Sequence, residues 1–197
     1  MGFLVEIDQL KNVLRQTPIV DGSRRENTAE HSWHLAMFAV VLAEHSAEPV
    51  DVGRVIMMLL LHDIVEIDAG DVFVYAASDS AVAAKQEADE QAAAHRLFSL
   101  LPPDQAARLR ALWEEFEAKE SPESRFAKSI DRLQPIVLNR HSGGGSWGMH
   151  GITADKTRAL INRTIPGGSP VLHEYGLRMV DEAVANGLLA PDPATGR

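Results

Sequence analysis

Residues 59–71 read LLLHDIVEIDAGD, and this stretch decides how the rest of the chain is understood. Seven apolar residues, Val55 to Leu61, run directly into His62 and Asp63, with Glu66 three positions further on. An unpaired polar group in an apolar interior costs roughly 2–7 kcal/mol, and a charge costs more. Hydrogen bonds, an ion pair or a metal ion must therefore compensate these side chains. The stretch predicts a helix from about Asp51 to Ile67, apolar nearly all round and hence the central buried one, which Gly70 stops.

Outward from this helix the hydrophobic period is helical nearly everywhere, with no convincing two-residue alternation. Phe3, Ile7, Leu10 and Leu14 mark a first helix ended by TPIVDG. Asn27 followed by Glu30 is a capping-box start for a helix carrying His31, Leu35, Phe38 and Leu42 on one face. An alanine-rich helix, Ser80 to Leu101, is broken by Pro102-Pro103, and the next carries Leu109, Leu112, Trp113 and Phe116. Ser121-Pro122 opens a helix with Phe126, Ile130, Leu133 and Val137, bent at Pro135. HSGGGSWGMHG, residues 141–151, reads as a flexible loop. Two helices close the chain, Thr153 to Ile165 and Ser169-Pro170 to Asn186, the second stopped by Gly187. The expectation is an all-α bundle of about eight helices in one domain, residues 1–190, with a flexible tail over 191–197.

Composition narrows the function. A chain of 197 residues supports one well-buried core. Its formal charge of −9 disfavours a nucleic-acid surface but not a small anionic ligand, because a few arginines in one pocket reverse the local field. Cysteine is absent, so any metal site must use nitrogen and oxygen ligands. The start, MGFLVEIDQLK, lacks a basic leader before an apolar run, and Glu6 stands where a myristoylation signal wants Ser or Thr. The longest apolar run is far below the ~18 residues that span a bilayer. A cytoplasmic protein without membrane contact is expected.

His31 shares its helix face with apolar residues and points inward. His62 and Asp63 end the buried helix, Glu66 lies on the same side, and Asp131 falls within the apolar stripe of another helix. His31, His62, Asp63 and Asp131 thus come from three helices, and two imidazoles with two carboxylates suit one divalent cation with open positions. Taken singly, His31 reads as a hydrogen-bonded core histidine and Asp131 as the partner of Arg132 or Arg125. Consecutive buried His62 and Asp63 tip the balance towards a cation.

AEHSWHLA (29–36), LLLHDIVEIDAGD (59–71) and AKSIDRLQP (127–135) together resemble the HD-domain metal-dependent phosphohydrolases, in particular the small single-domain group containing the bacterial 5′-deoxynucleotidases. The resemblance runs from about Ile7 to Gly187. It implies metal ligands at His31, His62, Asp63 and Asp131, catalytic carboxylates at Glu66 and Asp71, and a homodimer. It also implies an arginine near the substrate phosphate, for which Arg15 is the nearest match, although Gln16-Thr17 replaces the aromatic expected beside it. VFVY after Asp71 likewise departs from the proline-containing run of the characterised nucleotidases. Arg24, Arg25 and Lys128 are further candidate phosphate contacts. Only His95 lies between the His-Asp pair and Asp131, which argues against a second metal. His34 reads as a flank of the site. His141 and His150 bracket the glycine loop and could reach a substrate, though for each the reading without a substrate role is favoured.

The expected function is hydrolysis of the phosphomonoester of nucleoside 5′-monophosphates, with one divalent ion, Mn, Co or Fe, and with Zn, Ni and Mg as further candidates. The small phosphorylated substrate is expected to be a nucleotide. Competing readings are a hydrolase of a different phosphorylated metabolite, a metal-containing nucleotide-binding regulatory module, and a structural helical protein whose polar core is held by ion pairs.

Overall fold

The computed structural model describes residues 1–75 and 80–193. Its helices are α1 (Gly2–Glu6), α2 (Thr28–Leu42), α3 (Val52–Leu61), α4 (Glu66–Ala69), α5 (Ser80–Phe98), α6 (Pro103–Ala118), α7 (Pro122–His141), α8 (Gly145–Met149), α9 (Ala154–Thr164) and α10 (Pro170–Ala185), with short 3-10 turns at 7–12 and 43–45. The only strands among the described residues are β1 (Leu14–Pro18) and β2 (Arg25–Asn27), which pair antiparallel. The fold class is all-α as expected. The end of the expected tail, 194–197, lies outside the described residues.

Three of the expected caps are formed as the sequence indicates. Asn27 and Glu30 close a reciprocal capping box, and the hydroxyls of Ser121 and Ser169 accept from the N–H groups of Ser124 and Leu172. Such caps satisfy helix N–H groups that have no partner inside the helix.

The central helix is α7, not the apolar helix after Asp51. Eleven side chains of α7 are buried, including Phe126, Ile130, Leu133 and Ile136, and it touches α2, α3, α6, α8, α9, α10 and β1. It continues through Pro135. In α3 the outer positions Met57 and Leu60 stay 39% and 46% exposed, so its apolar residues exceed the face it buries.

That helix also ends earlier than its composition suggests. Trp113 Nε1–H donates to the His62 carbonyl at 3.1 Å, taking the acceptor that Glu66 N–H would use in a continuing helix. Glu66 N–H bonds Asp63 O instead, so residues 62–65 form a tight turn between α3 and α4. Glu66 therefore opens a new short helix and does not share one with Asp63.

Two further segments depart from the expectation. Residues after Val13 leave the first helix to form β1, because Arg25 on β2 reaches back to the carbonyls of Leu14 and Arg15. The glycine run is a packed turn followed by α8, not a loose loop: Trp147 is 1% exposed, and Asn139 Oδ1 accepts from Ser146 N–H at 2.8 Å. At Gly145 (φ +38°) an added Cβ would stand 2.4 Å from Asn139 Oδ1, so only glycine lets the chain pass there. Among the described residues no helix is long and apolar enough to cross a membrane.

Candidate metal centre and cleft

α2 delivers His31, the turn after α3 delivers His62 and Asp63, and α7 delivers Asp131. One ring nitrogen each of His31 and His62 and an Asp63 oxygen are close enough for one ion, all within 4.8 Å of one another. Asp131 Oδ1 stands 3.3 Å from His31 Nε2 and 3.8 Å from His62 Nε2. His31, His62 and Asp131 are buried, and Asp63 is 16% exposed at the edge of a cleft.

The second ring nitrogen of each histidine is already committed. His62 Nδ1–H donates to the Leu59 carbonyl at 2.8 Å. His31 Nδ1–H donates to Gln134 Oε1 at 3.1 Å. Both imidazoles therefore turn Nε2 towards the two aspartates, the arrangement in which metal-binding histidines are held by their outer partners. His62 Nε2 is buried without a satisfactory hydrogen bond, although Asp63 Oδ2 is 3.0 Å away. Two such nitrogens and two carboxylates fit a divalent cation of the transition series.

Charges divide the carboxylates into two kinds. Burial pushes Asp63 and Asp131 up, but neighbouring cations prevail: His62 and Arg15 hold Asp63 low, and Lys128 and Arg132 hold Asp131 well below the usual range. Glu66 and Asp71 go the other way. Burial and the Asp63 charge raise Glu66 well above its ordinary value, and burial raises Asp71 although Arg15 opposes it. Two carboxylates are thus shifted towards the ionised form and two towards the protonated one, the separation that acid–base chemistry needs. For His62, burial favours the neutral ring, but Asp63 and Asp131 outweigh it and raise the pKa to about 10. A proton on His62 answers the same anionic field that a cation would.

β1 brings Arg15 into this cluster. Its Nη1 is 3.1 Å from Asp63 Oδ2 and 3.3 Å from Asp71 Oδ1, so one buried guanidinium ties both carboxylates together. Glu66 is anchored by Thr28 at the start of α2, whose hydroxyl donates to Glu66 Oε2 at 3.0 Å. Beside these groups opens a cleft of about 480 Å³ whose lining includes Arg15, His62, Asp63, Glu66, Asp71, Lys128 and Asp131.

The other candidate residues lie at different distances from it. Lys128 Nζ is 3.0 Å from Asp131 Oδ2 and sits over the Phe116 ring. Arg24 turns outward to pair with Glu30, and Arg25 is spent on the β1 carbonyls; neither lines the cleft. His34 flanks the site through Gln134, at 3.2 Å. His150 reaches Gln16 at 3.1 Å and stacks near Phe73, both cleft residues, while His95 and His141 are exposed.

Two site residues have no counterpart in the sequence reading. Gln134 is fully buried and bridges His31 to Glu26, its Nε2 donating to Glu26 Oε1 at 2.8 Å. Glu26 is 3% exposed on β2, 3.4 Å from His31 Nδ1. Gln134 is one turn from Asp131 in the apolar stripe of α7, a placement that flags it. Glu26 gives no such signal, since its burial depends on the hairpin.

With this geometry in view, the chain's relationships are clear. A family model described as HD domain matches residues 7–172, and the chain belongs to that family. Among individual proteins, the crystal structure of a "Predicted metal-dependent phosphohydrolase" from Magnetospirillum magnetotacticum MS-1 is 53% identical. It superposes with a TM-score of 0.88 over 97% of this chain and 96% of that one. The "5′-deoxynucleotidase HDDC2" of Homo sapiens is 29% identical over 138 residues, 70% of this chain and 65% of that protein. A "5′-deoxynucleotidase" of Erwinia tasmaniensis is 29% identical over 139 residues, 66% of this chain and 68% of that protein. The chain thus spans just under two thirds of the human relative's length.

Proposed function

We propose that the chain is a metal-dependent phosphohydrolase that cleaves the phosphomonoester of nucleoside 5′-monophosphates. The observation that carries this reading is the pair of imidazoles whose Nδ1–H groups are both committed, so that both Nε2 atoms face Asp63 and Asp131. His31, His62, Asp63 and Asp131 are the proposed ligands. The names of the bacterial and human relatives support the substrate class.

A bound divalent cation supplies a Lewis acid that makes water a better nucleophile and offsets phosphate charge. The side chains do the rest. Arg15 holds Asp71 against the cleft and presents positive charge to the phosphate oxygens. Glu66 and Asp71, the two carboxylates that burial shifts upward, divide the proton transfers. One takes a proton from the attacking water and the other returns one to the leaving alkoxide. Lys128 keeps Asp131 ionised and adds a cation to the cleft wall.

The test compares neighbours in the turn. Asp63→Ala is expected to lose bound metal, since it removes a ligand anion. Glu66→Gln keeps volume and a hydrogen-bonding head for Thr28, so it is expected to keep the metal and lose roughly 10²–10⁴ in turnover. Metal released by Glu66→Gln would make Glu66 a ligand. Metal and full rate both retained would remove it from proton transfer.

A further inference from the structure

A second cleft, of about 420 Å³, adjoins the first: Val74, Lys119, Lys128 and Arg132 line both. Lys119, Arg125, Lys128, Arg132 and Arg163 line it, and among the described residues no carboxylate does, in a chain whose formal charge is −9. The existing pairs do not balance these cations. Lys128 and Arg132 share the single carboxylate of Asp131, and Arg125 is held by Glu48 and the Glu120 carbonyl. Lys119 and Arg163 have no ion pair and no side-chain hydrogen bond among the described residues. Glu117, which lines the first cleft and not the second, acts on Lys119 through its charge without forming an ion pair.

Lys119 is also unusual in its backbone. It caps α6 with φ +58°, and it is the non-glycine residue with positive φ among the described residues. Glycine occupies that position in helix caps at lower cost, so a lysine there puts a charge at the junction of the two clefts against local preference.

We propose that this basic cleft receives a second phosphate group of the substrate, so that the preferred substrates are small metabolites with two phosphate groups, such as nucleoside bisphosphates. This rests on the phosphohydrolase reading above and extends it. Guanidinium groups match phosphate oxygens, and the shared wall lets one molecule reach both clefts. The cationic patch is too local, in an acidic chain, to serve a nucleic-acid backbone.

The experiment measures kcat and KM for adenosine 5′-monophosphate and adenosine 3′,5′-bisphosphate, on the intact protein and on Arg163→Ala and Lys119→Gly, at two salt concentrations. Lys119→Gly removes the charge while suiting the cap, and Arg163 lies in the second cleft alone. The bisphosphate is expected to have the lower KM, and Arg163→Ala to raise it roughly 3–10-fold while leaving the monophosphate unchanged. Higher salt should narrow the difference. Calorimetry with inorganic pyrophosphate gives a readout independent of turnover, with binding weakened by Arg163→Ala. Equal KM values in the intact protein, with the monophosphate hydrolysed, would overturn the second subsite and leave the phosphohydrolase reading standing. If neither nucleotide is cleaved, that reading fails, and calorimetry decides the cleft: pyrophosphate binding indifferent to Arg163→Ala and Lys119→Gly overturns it. Pyrophosphate bound tightly in the second cleft with no preference between the nucleotides would assign it to free phosphate instead, and also overturn the substrate proposal.

Discussion

Replacing Gln134 by leucine tests whether the site is held from behind. The exchange nearly preserves volume, so it leaves no cavity to confuse the result. It removes the acceptor for His31 Nδ1–H and the donor to Glu26 Oε1, both in a region closed to water. An orphaned buried group costs about 1–3 kcal/mol, and a charged one more. Glu26 Oε2, 3.4 Å from His31 Nδ1, can recover part of the first loss. The expected destabilisation is about 2–4 kcal/mol, read from urea unfolding of the metal-free chain. A His31 ring freed to rotate should also weaken metal binding by about 10–100-fold, the usual effect of losing an outer partner. Titration of the metal-stripped variant with Mn²⁺ measures this directly. Unfolding and affinity both unchanged from the parent protein would refute the idea that Gln134 orients His31.

Metal uptake should be tied to protons. With its pKa raised to about 10, His62 is protonated in the metal-free chain at neutral pH. The stability it contributes is fully present below the ordinary 6.5 and is lost as pH rises through about 10. Binding requires the neutral ring, so affinity should rise with pH across that window, with about one proton released per ion at pH 7.5 in calorimetry with buffers of different ionisation enthalpy. No proton release would contradict the raised pKa. Gly145→Ala should destabilise by about 2–4 kcal/mol in thermal or urea melts, because it combines positive φ with a clash against Asn139 Oδ1. A melt unchanged from the parent would mean that the turn yields easily.

The parts of the structure legible in the sequence are those set by local chemistry. Asn27, Ser121 and Ser169 cap helices because their side chains serve N–H groups a few residues away. The inward face of α2 places His31, and the stripe of α7 places Asp131, by the helical period alone. What stayed hidden depends on distant partners. Nothing local marks the end of α3, because Trp113, 51 positions away, captures the His62 carbonyl. Five- and three-residue strands are too short to display a period, and the side chain of Arg25 helps pin them. Glu26 becomes part of the site only once that hairpin exists. Composition also misjudged the glycine run, whose positive φ angles bring Trp147 into the core.

The most direct test of the account strips the protein of metal and follows phosphate release from a nucleoside 5′-monophosphate as Mn²⁺ is returned. The proposed donor set of two imidazoles and two carboxylates predicts negligible release from the stripped chain and a rate that rises to a plateau at about one ion per chain. A stripped chain that hydrolyses the nucleotide at the full rate would contradict it.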